Sequence, residues 1–398
     1  MTEINVGDAR VVLGDCCDVL KTLPSNSVDS IVTDPPYELG FMGKKWDSAG
    51  IAYDVTVWEE CLRVLKPGGH ILAFGGSRTF HRMAVAIEDA GFEIRDSIAW
   101  ISSKTFPKSL NVRKAIDKAG VDGSAWEGWG TGLKNVVEPI VMGRKPLVGT
   151  VAANVLVWGV GGLNIDASRI GTETRVNSAA KSLGNDRTMS GGTANPNYPD
   201  VTVQGRWPAN VILDEYSAGL LDEQSGVAAS KSSNRGEWLT GQAGGLAGEI
   251  PNYSPGTNTV RGHNDSGGAS RFFYCAKASK RDRNEGLGDL PDNVVGSFFG
   301  NFEVSGNKIG ANPDKPNQPG KNTHPTVKPT SLMRYLIKLV TPVGGTVLDP
   351  FTGSGSTGKA ALLDGYKFVG AELTEEYLPI IEGRLTWAQE NTDTGTLF

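Results

Sequence analysis

Val28-Asp29-Ser30-Ile31-Val32-Thr33-Asp34-Pro35-Pro36-Tyr37 is the stretch on which the reading of this chain turns. Val28 to Val32 has the short, β-branched character of a buried strand, and the two prolines directly after an aspartate stiffen the turn that ends it. Roughly three hundred residues later Val347-Leu348-Asp349-Pro350-Phe351-Thr352-Gly353-Ser354-Gly355 repeats the plan: a strand, an acidic residue at its end, and a turn opened by glycine. The first stretch offers a polar clamp for a planar amine. The second offers a turn where a nucleoside can lie against backbone.

Working outward, short β-rich runs alternate with helical periodicity from Val11 to about Ala152, the pattern of a largely parallel sheet covered on both faces. Strands are expected at Val11–Leu13, Val28–Val32, Ile71–Phe74, Ile94–Ile101 and Pro139–Met142. Val57, Cys61, Leu62, Val64 and Leu65 mark a helix that Pro67-Gly68-Gly69 is expected to stop, and Phe80, Met83, Ala84 and Ile87 mark another. Near the other end Pro329 opens a helix carrying Leu332, Tyr335, Leu336 and Leu339 on one face. The glycine turn, a helix through Leu363, a strand over Phe368–Ala371 and a last helix with Tyr377, Ile380, Ile381 and Leu385 follow.

Between these halves, Gly171 to Gly268 is dominated by Gly, Ser, Asn, Thr and Pro, too poor in apolar clusters to order itself as a compact domain. Asn210–Leu213 and Arg271–Cys275 are the strand-like islands in or beside it. The fold class expected is therefore α/β, a doubly wound and mostly parallel sheet built from both ends of the chain. The expected domains are one half of the core at 1–165, a variable loop-rich region at 166–322, the other half at 323–390, and a tail at 391–398.

Composition narrows the class of protein. A chain of 398 residues can bury a sizeable core, and a net charge of −5 argues against coating nucleic acid by charge alone. The four cysteines and four histidines lack metal-ligand spacing, so no metal is expected. No apolar run approaches the ~18 residues of a membrane span, which leads to the expectation of a soluble, cytoplasmic protein without a membrane partner.

Gly353, Gly358 and Lys359 nearly spell a phosphate-binding loop, but Ala360 stands where Ser or Thr must ligate magnesium. The other reading is that backbone at Gly353 and Gly355 approaches a ligand, while Glu372, ending the next strand, accepts hydrogen bonds from ribose hydroxyls. At the first motif, the Asp34 carboxylate and the Pro35 carbonyl are two acceptors for the two N–H bonds of an exocyclic amine. Pro36 fixes the direction of that carbonyl, and Tyr37 offers a π-face for a base swung out of its stack.

Together Asp34-Pro35-Pro36-Tyr37 and Asp349-Pro350-Phe351-x-Gly353-x-Gly355 resemble the S-adenosylmethionine-dependent DNA amino-methyltransferases. The order of the motifs resembles the β group of that family, a circular permutation of a Rossmann-like methyltransferase fold. Phrases such as Phe106–Asn111 and Glu138-Pro139-Ile140 are similar to methylases of phages and prophages. The resemblance covers about Val11–Ala152 and Thr323–Ala388. It implies S-adenosyl-L-methionine as cofactor, held by Asp349, Gly353 and Gly355 around its methionine part, Phe351 at the adenine side and Glu372 at the ribose. It further implies Asp15 at the adenine amine, and Thr326 and Lys328, from His324-Pro325-Thr326-Val327-Lys328-Pro329, lining the pocket. Asp34, Pro35, Pro36 and Tyr37 become the catalytic set, and an Asp in the first position favours adenine N6, with cytosine N4 the alternative.

Double-stranded DNA is then the expected partner, with the middle region as target-recognition segment and a homodimer compatible with the group; a restriction partner is not determinable from sequence. Arg271, Lys277, Lys280, Arg281 and Arg283 beside Phe272, Phe273 and Tyr274 form one basic run suited to phosphates and stacking. Lys104, Lys108, Arg113, Lys114 and Lys118 after Trp100 form a second. An RNA or protein-glutamine methyltransferase, and a non-catalytic DNA-binding module, are the competing readings.

Overall fold

The computed structural model describes residues 2–39, 47, 49–103, 107, 109–177, 201–230, 233–234, 260–261, 265–277, 280–288, 290–291, 293–294, 302–304, 307–309 and 319–392. Chain contacts divide it into two compact units, Met1–Ala167 with Asn210–Ser217 and Cys275–Phe398, and Ser168–Ala209 with Ala218–Tyr274.

The first unit is built on ten strands. They are β1 (Glu3–Val6), β2 (Ala9–Leu13), β3 (Val28–Thr33), β4 (Leu65–Phe74), β5 (Glu93–Ile101), β6 (Val137–Arg144), β7 (Val211–Asp214), β8 (Tyr274–Ala276), β9 (Thr346–Asp349) and β10 (Lys367–Glu372). Their order across the sheet is β1-β2-β10-β9-β3-β4-β6-β5-β7-β8. From β2 to β4 every neighbouring pair is parallel, β6 runs antiparallel to both β4 and β5, and β7 is parallel to β5. All six residues of β3 are buried, so helices cover both faces of the sheet at its centre, as parallel sheets require. The helices that matter below are α1 (Cys16–Lys21), α2 (Val55–Val64), α3 (Phe80–Asp89), α4 (Lys280–Asn284), α5 (Thr330–Val340), α6 (Ser356–Leu363) and α7 (Leu378–Glu390). The expected α/β class with a mostly parallel sheet is the observed one.

Connectivity places a ligand crevice before any side chain is considered. From β3 the chain proceeds to β4 on one side, and from β9 to β10 on the other, so the winding direction reverses between β3 and β9. Those two strands are parallel neighbours, with Val347 opposite Ser30 and Leu348 opposite Ile31. In open α/β sheets ligands bind outside the carboxyl ends of the strands at such a switch point. Asp34 and Asp349 stand at those two ends.

One expectation fails on inspection. Pro67-Gly68-Gly69 does not lie in a loop that separates helix from strand; α2 ends at Val64 and β4 already begins at Leu65. The pairing of β4 with β3 jumps from Val28/Leu65 to Ser30/His70, so the Pro-Gly-Gly triplet is absorbed as a bulge, with Gly68 at φ +80°. The fully buried Asn154 makes this tolerable: its Nδ2 donates to the carbonyls of Pro67 at 2.8 Å and Val160 at 2.7 Å.

The second unit also departs from expectation, because the glycine- and serine-rich stretch does contain order. Ile170–Asn177 pairs antiparallel with Val201–Arg206, and the local core is polar instead of apolar. The Arg206 guanidinium meets Glu173 and, at 2.6 Å, Asp265, and sits 4.9 Å from the centre of the Phe272 ring. Charge pairing here substitutes for the aliphatic clusters that the sequence lacks.

Asn154→Leu is expected to strand the buried Pro67 and Val160 carbonyls and to lower unfolding free energy by about 2–4 kcal/mol. Chemical denaturation of parent and variant measures this; an unchanged midpoint removes Asn154 as the support of the bulge.

Candidate active site

The two acidic strand ends are joined directly. Thr33, the last residue of β3, donates from Oγ1 to Asp349 Oδ1 at 2.6 Å, and Asp349 also accepts from Thr357 Oγ1 at 2.6 Å and from the Phe351 amide at 3.0 Å. These three donors fix a carboxylate that is 2 % exposed. Burial pushes its pKa up to about 6, against the pull of the hydrogen bonds from Thr33, Thr357 and Phe351.

At Asp34 the arrangement is asymmetric. Oδ2 accepts from Lys328 Nζ at 2.7 Å, whereas Oδ1 is buried and has no hydrogen-bond partner among the described residues. A buried carboxylate oxygen without a donor is costly, and among the described residues this acceptor stays open to a further hydrogen bond. Lys328 is itself buried and spans the clamp. Its ammonium also donates to Tyr37 Oη at 3.2 Å, lies 3.3 Å from Glu138 Oε2, and sits over the rings of Tyr37 and Phe74 at 5.3 and 5.0 Å. Tyr37 Oη in turn donates to Glu138 Oε2 at 2.8 Å, and the Tyr37 carbonyl accepts from Thr79 Oγ1 at 2.8 Å. Burial works against the lysine's charge, but the Asp34 and Glu138 carboxylates outweigh it and hold its pKa above the ordinary lysine value. The chain leaving Tyr37 is pinned as well: Asp47 accepts from the amides of Glu38 at 3.0 Å and Leu39 at 3.2 Å.

Across the switch point, the glycine turn follows β9. Gly353 (φ +55°) and Gly355 (φ +74°) both occupy the left-handed region, which spares any side chain a steric penalty there. A Cβ on Gly353 would lie 3.0 Å from His324 Nε2. Glu372, ending β10, is 7 % exposed and accepts from the Gly353 amide at 2.7 Å and the Thr374 amide at 2.8 Å. Burial raises its pKa to about 7 in spite of those two hydrogen bonds. Phe351 packs between the apolar cluster on α2 and the one around Val12 and Ala371, with its ring 6.3 Å from Trp58. His324 hydrogen-bonds through Nδ1 to the Thr326 carbonyl at 2.9 Å and packs edge-on against Tyr377 at 4.6 Å. Burial drives its pKa down to about 4, so it is neutral.

The N6_N4_Mtase family model, described as DNA methylase, matches residues 28–383, which is most of the chain and includes both motifs. The chain belongs to this DNA methylase family. The type II methyltransferase M.HinfI of Haemophilus influenzae is 29% identical over 134 residues, covering 28% of this chain and 37% of that protein. M.HindIII from the same species is 31% identical over 116 residues, covering 28% and 38%. The matched part of the chain thus spans little more than a third of the length of these relatives. Among solved structures, the cytosine-N4-specific PvuII DNA methyltransferase gives a TM-score of 0.44 at 13% identity, covering 96% of this chain and 87% of that chain.

For this DNA methylase family member, the fold also shows where the remaining expected residues lie. Lys328, expected among the cofactor-lining residues, is in direct contact with the clamp, and Thr326 contributes the carbonyl that holds His324. Asp15 follows β2 and caps α1 by accepting from the Cys17 amide at 2.9 Å; the neighbouring Gly14 amide donates to the Glu372 carbonyl at 2.9 Å. Lys359, the lysine of the near-miss phosphate loop, is fully buried and held by Asp282 at 2.6 Å and Glu285 at 2.9 Å. That lysine is committed to an internal ion cluster and cannot cradle a phosphate.

Of the basic candidates, Arg271 is engaged within its own unit by Asp265 at 3.1 Å and the carbonyls of Gly267 and Gly268 at 2.6 and 2.7 Å. Lys277 is exposed; Lys104 and Lys108 lie outside the described residues, as do the side chains of Lys280 and Arg281. Glu138 is the site residue that the sequence did not single out as such. Its only signal was the phrase Glu138-Pro139-Ile140, and its place beside Tyr37 depends on β6 pairing with β4 and β5.

Lys328→Met should remove the cation shared by Asp34 and Glu138, so that Asp34 holds its proton to higher pH than in the parent protein. Carboxyl-detected NMR titration of both proteins reads this; identical Asp34 titrations refute the coupling.

Proposed function

We propose that this protein is an S-adenosylmethionine-dependent DNA amino-methyltransferase that acts on adenine N6 of an extruded base by direct in-line displacement. The observation that carries the reading is the buried, partnerless Asp34 Oδ1 beside the stiff Pro35-Pro36 turn and the Tyr37 ring. An exocyclic amine is a poor nucleophile because its lone pair is delocalised into the ring. Two acceptors directed at its two N–H bonds favour a pyramidal nitrogen with a localised lone pair. Asp34 Oδ1 is one acceptor and the Pro35 carbonyl the other, while Lys328 fixes the carboxylate through Oδ2 and leaves Oδ1 available. The proton lost by the alkylated amine passes to Asp34.

The residues across the switch point suit the cofactor. Gly353 and Gly355 open the backbone, Glu372 presents a fixed carboxylate to vicinal hydroxyls, and Phe351 supplies an aromatic wall. When bound there, S-adenosylmethionine supplies a sulfonium-activated methyl group. Asp349 touches Thr33, Thr357 and the turn, and its role in this reading is to hold the turn's shape under the methionine part. The aspartate that opens the clamp motif favours adenine N6; the cytosine-N4 alternative retains the same geometry. Double-stranded DNA is the proposed substrate, with the region around 166–322 supplying target recognition.

Incubation with labelled S-adenosylmethionine and duplex DNA, RNA or protein tests the substrate class, and nucleoside digestion of the product decides adenine from cytosine. Transfer to RNA or protein alone would refute the DNA reading. Asp34→Ala is expected to abolish transfer and to leave cofactor affinity within about threefold, whereas Gly355→Trp, which meets Ile381 at the turn, is expected to abolish cofactor binding. Glu372 accepts ribose hydroxyls best when ionised, and its pKa is about 7, so cofactor affinity should weaken as pH falls through 7. Calorimetry from pH 8 to pH 6 should show that slope in the parent and a flat profile in Glu372→Gln.

A further inference from the structure

Glu138 reaches the clamp from β6, a strand that carries neither motif. β6 lies between β4 and β5, with Ile140 opposite Phe74 and Glu138 opposite Trp100. Pro139 follows at once and confines Glu138 to extended backbone, which fixes the direction in which its side chain leaves the sheet. Residues directly opposite on antiparallel strands present their side chains to the same face. Glu138 therefore rises beside the buried Trp100 indole, which packs edge-on against Phe74 with ring centres 6.4 Å apart. Trp100 Nε1 has no hydrogen-bond partner among the described residues, so the carboxylate is not diverted to it.

Glu138 is committed to two members of the clamp. Its Oε2 accepts from Tyr37 Oη at 2.8 Å and lies 3.3 Å from Lys328 Nζ. Tyr37 is thereby held at both ends, its carbonyl by Thr79 Oγ1 at 2.8 Å and its hydroxyl by Glu138. Lys328 is held between two carboxylates, the other being Asp34 through Oδ2 at 2.7 Å. With Glu138 the set carries two carboxylates against one ammonium. That excess of negative charge faces an amine that becomes positive as it takes a methyl group.

We propose that Glu138 is a positioning residue for methyl transfer: it sets the Tyr37 ring and the Lys328 ammonium in place, and so keeps Asp34 Oδ1 turned to the substrate amine. The proposal rests on the amino-methyltransferase reading above. The titratable groups facing Asp34 are Lys328, Glu138, Tyr37 and Asp349. Burial raises the Asp34 pKa, Lys328 pulls it down and Glu138 pushes it up. Removal of the Glu138 charge therefore moves the Asp34 titration to lower pH, opposite to the direction expected for Lys328→Met.

The test is steady-state methylation of duplex DNA at saturating cofactor, over about pH 5 to 9, by the full-length parent, Glu138→Ala and Glu138→Gln, with DNA affinity, cofactor affinity and melting temperature measured alongside. Expected in Glu138→Ala is a kcat lower by about tenfold or more, with DNA and cofactor affinities within about threefold of the parent. Glu138→Gln, which still accepts from Tyr37, should retain more of the rate, while the acid limb of its kcat/KM profile moves to lower pH. Should the alanine variant melt early, the glutamine variant carries the test through that limb. Parental kcat in both variants overturns the proposal. A slower glutamine variant with an unmoved acid limb reduces Glu138 to scaffolding and overturns it too. Collapse of DNA affinity at parental kcat assigns Glu138 to the DNA itself, which also overturns it. A parent inactive on duplex DNA refutes the reading on which the proposal rests; with an active parent, each failing outcome refutes the positioning role alone.

Discussion

The parallel pairing of β3 with β9 is the contact on which the molecule depends. It joins two segments separated by most of the chain, and the Thr33 hydroxyl seals it by donating to Asp349 at 2.6 Å. Below that seal, the Ser30 hydroxyl meets the Thr341 hydroxyl at 2.7 Å and Asp29 accepts from the Thr346 amide at 2.7 Å. Polar side chains are thus used inside a buried strand to fix register, where apolar residues alone would allow slippage. Asp34 and the glycine turn follow the same ends of these two paired strands as a consequence of this register.

How far the sequence was legible follows from which forces are local. Strand-like runs, Pro329 as helix opener and the glycine turn all announce themselves through residue type, and the structure places elements there. Pro67-Gly68-Gly69 misleads because its local preference for a stop is overridden by pairing with β3 and by the Asn154 side chain, which is 87 residues away from Pro67 in sequence. Lys328 acquires its contact over an equally long range: it stands two residues before α5, and its ammonium meets a carboxylate 294 residues distant. Glu138 had no local signal beyond the phrase Glu138-Pro139-Ile140, since a glutamate on a strand acquires meaning only from what the neighbouring strand brings beside it.

The second unit shows a different limit. Apolar patterning offers little to read between Gly171 and Gly268, and it is blind to order built from ion pairs. Arg206, Glu173, Asp265, Arg271 and Phe272 form such a cluster, in which Arg206 meets both acids and Asp265 meets both guanidinium groups.

The buried Lys359 has a consequence beyond excluding a phosphate loop. By gripping Asp282 and Glu285 it rivets α4, the first helix after the long middle stretch, to the helix of the glycine turn, while β7 is stitched to β5 at the opposite sheet edge. Chain on either side of these anchorages is held by the core itself. Because closing a longer loop adds only about 0.6 kcal/mol per doubling of its length, what hangs between such anchorages is free to be lengthened, shortened or exchanged over generations without renegotiating the architecture that does the chemistry.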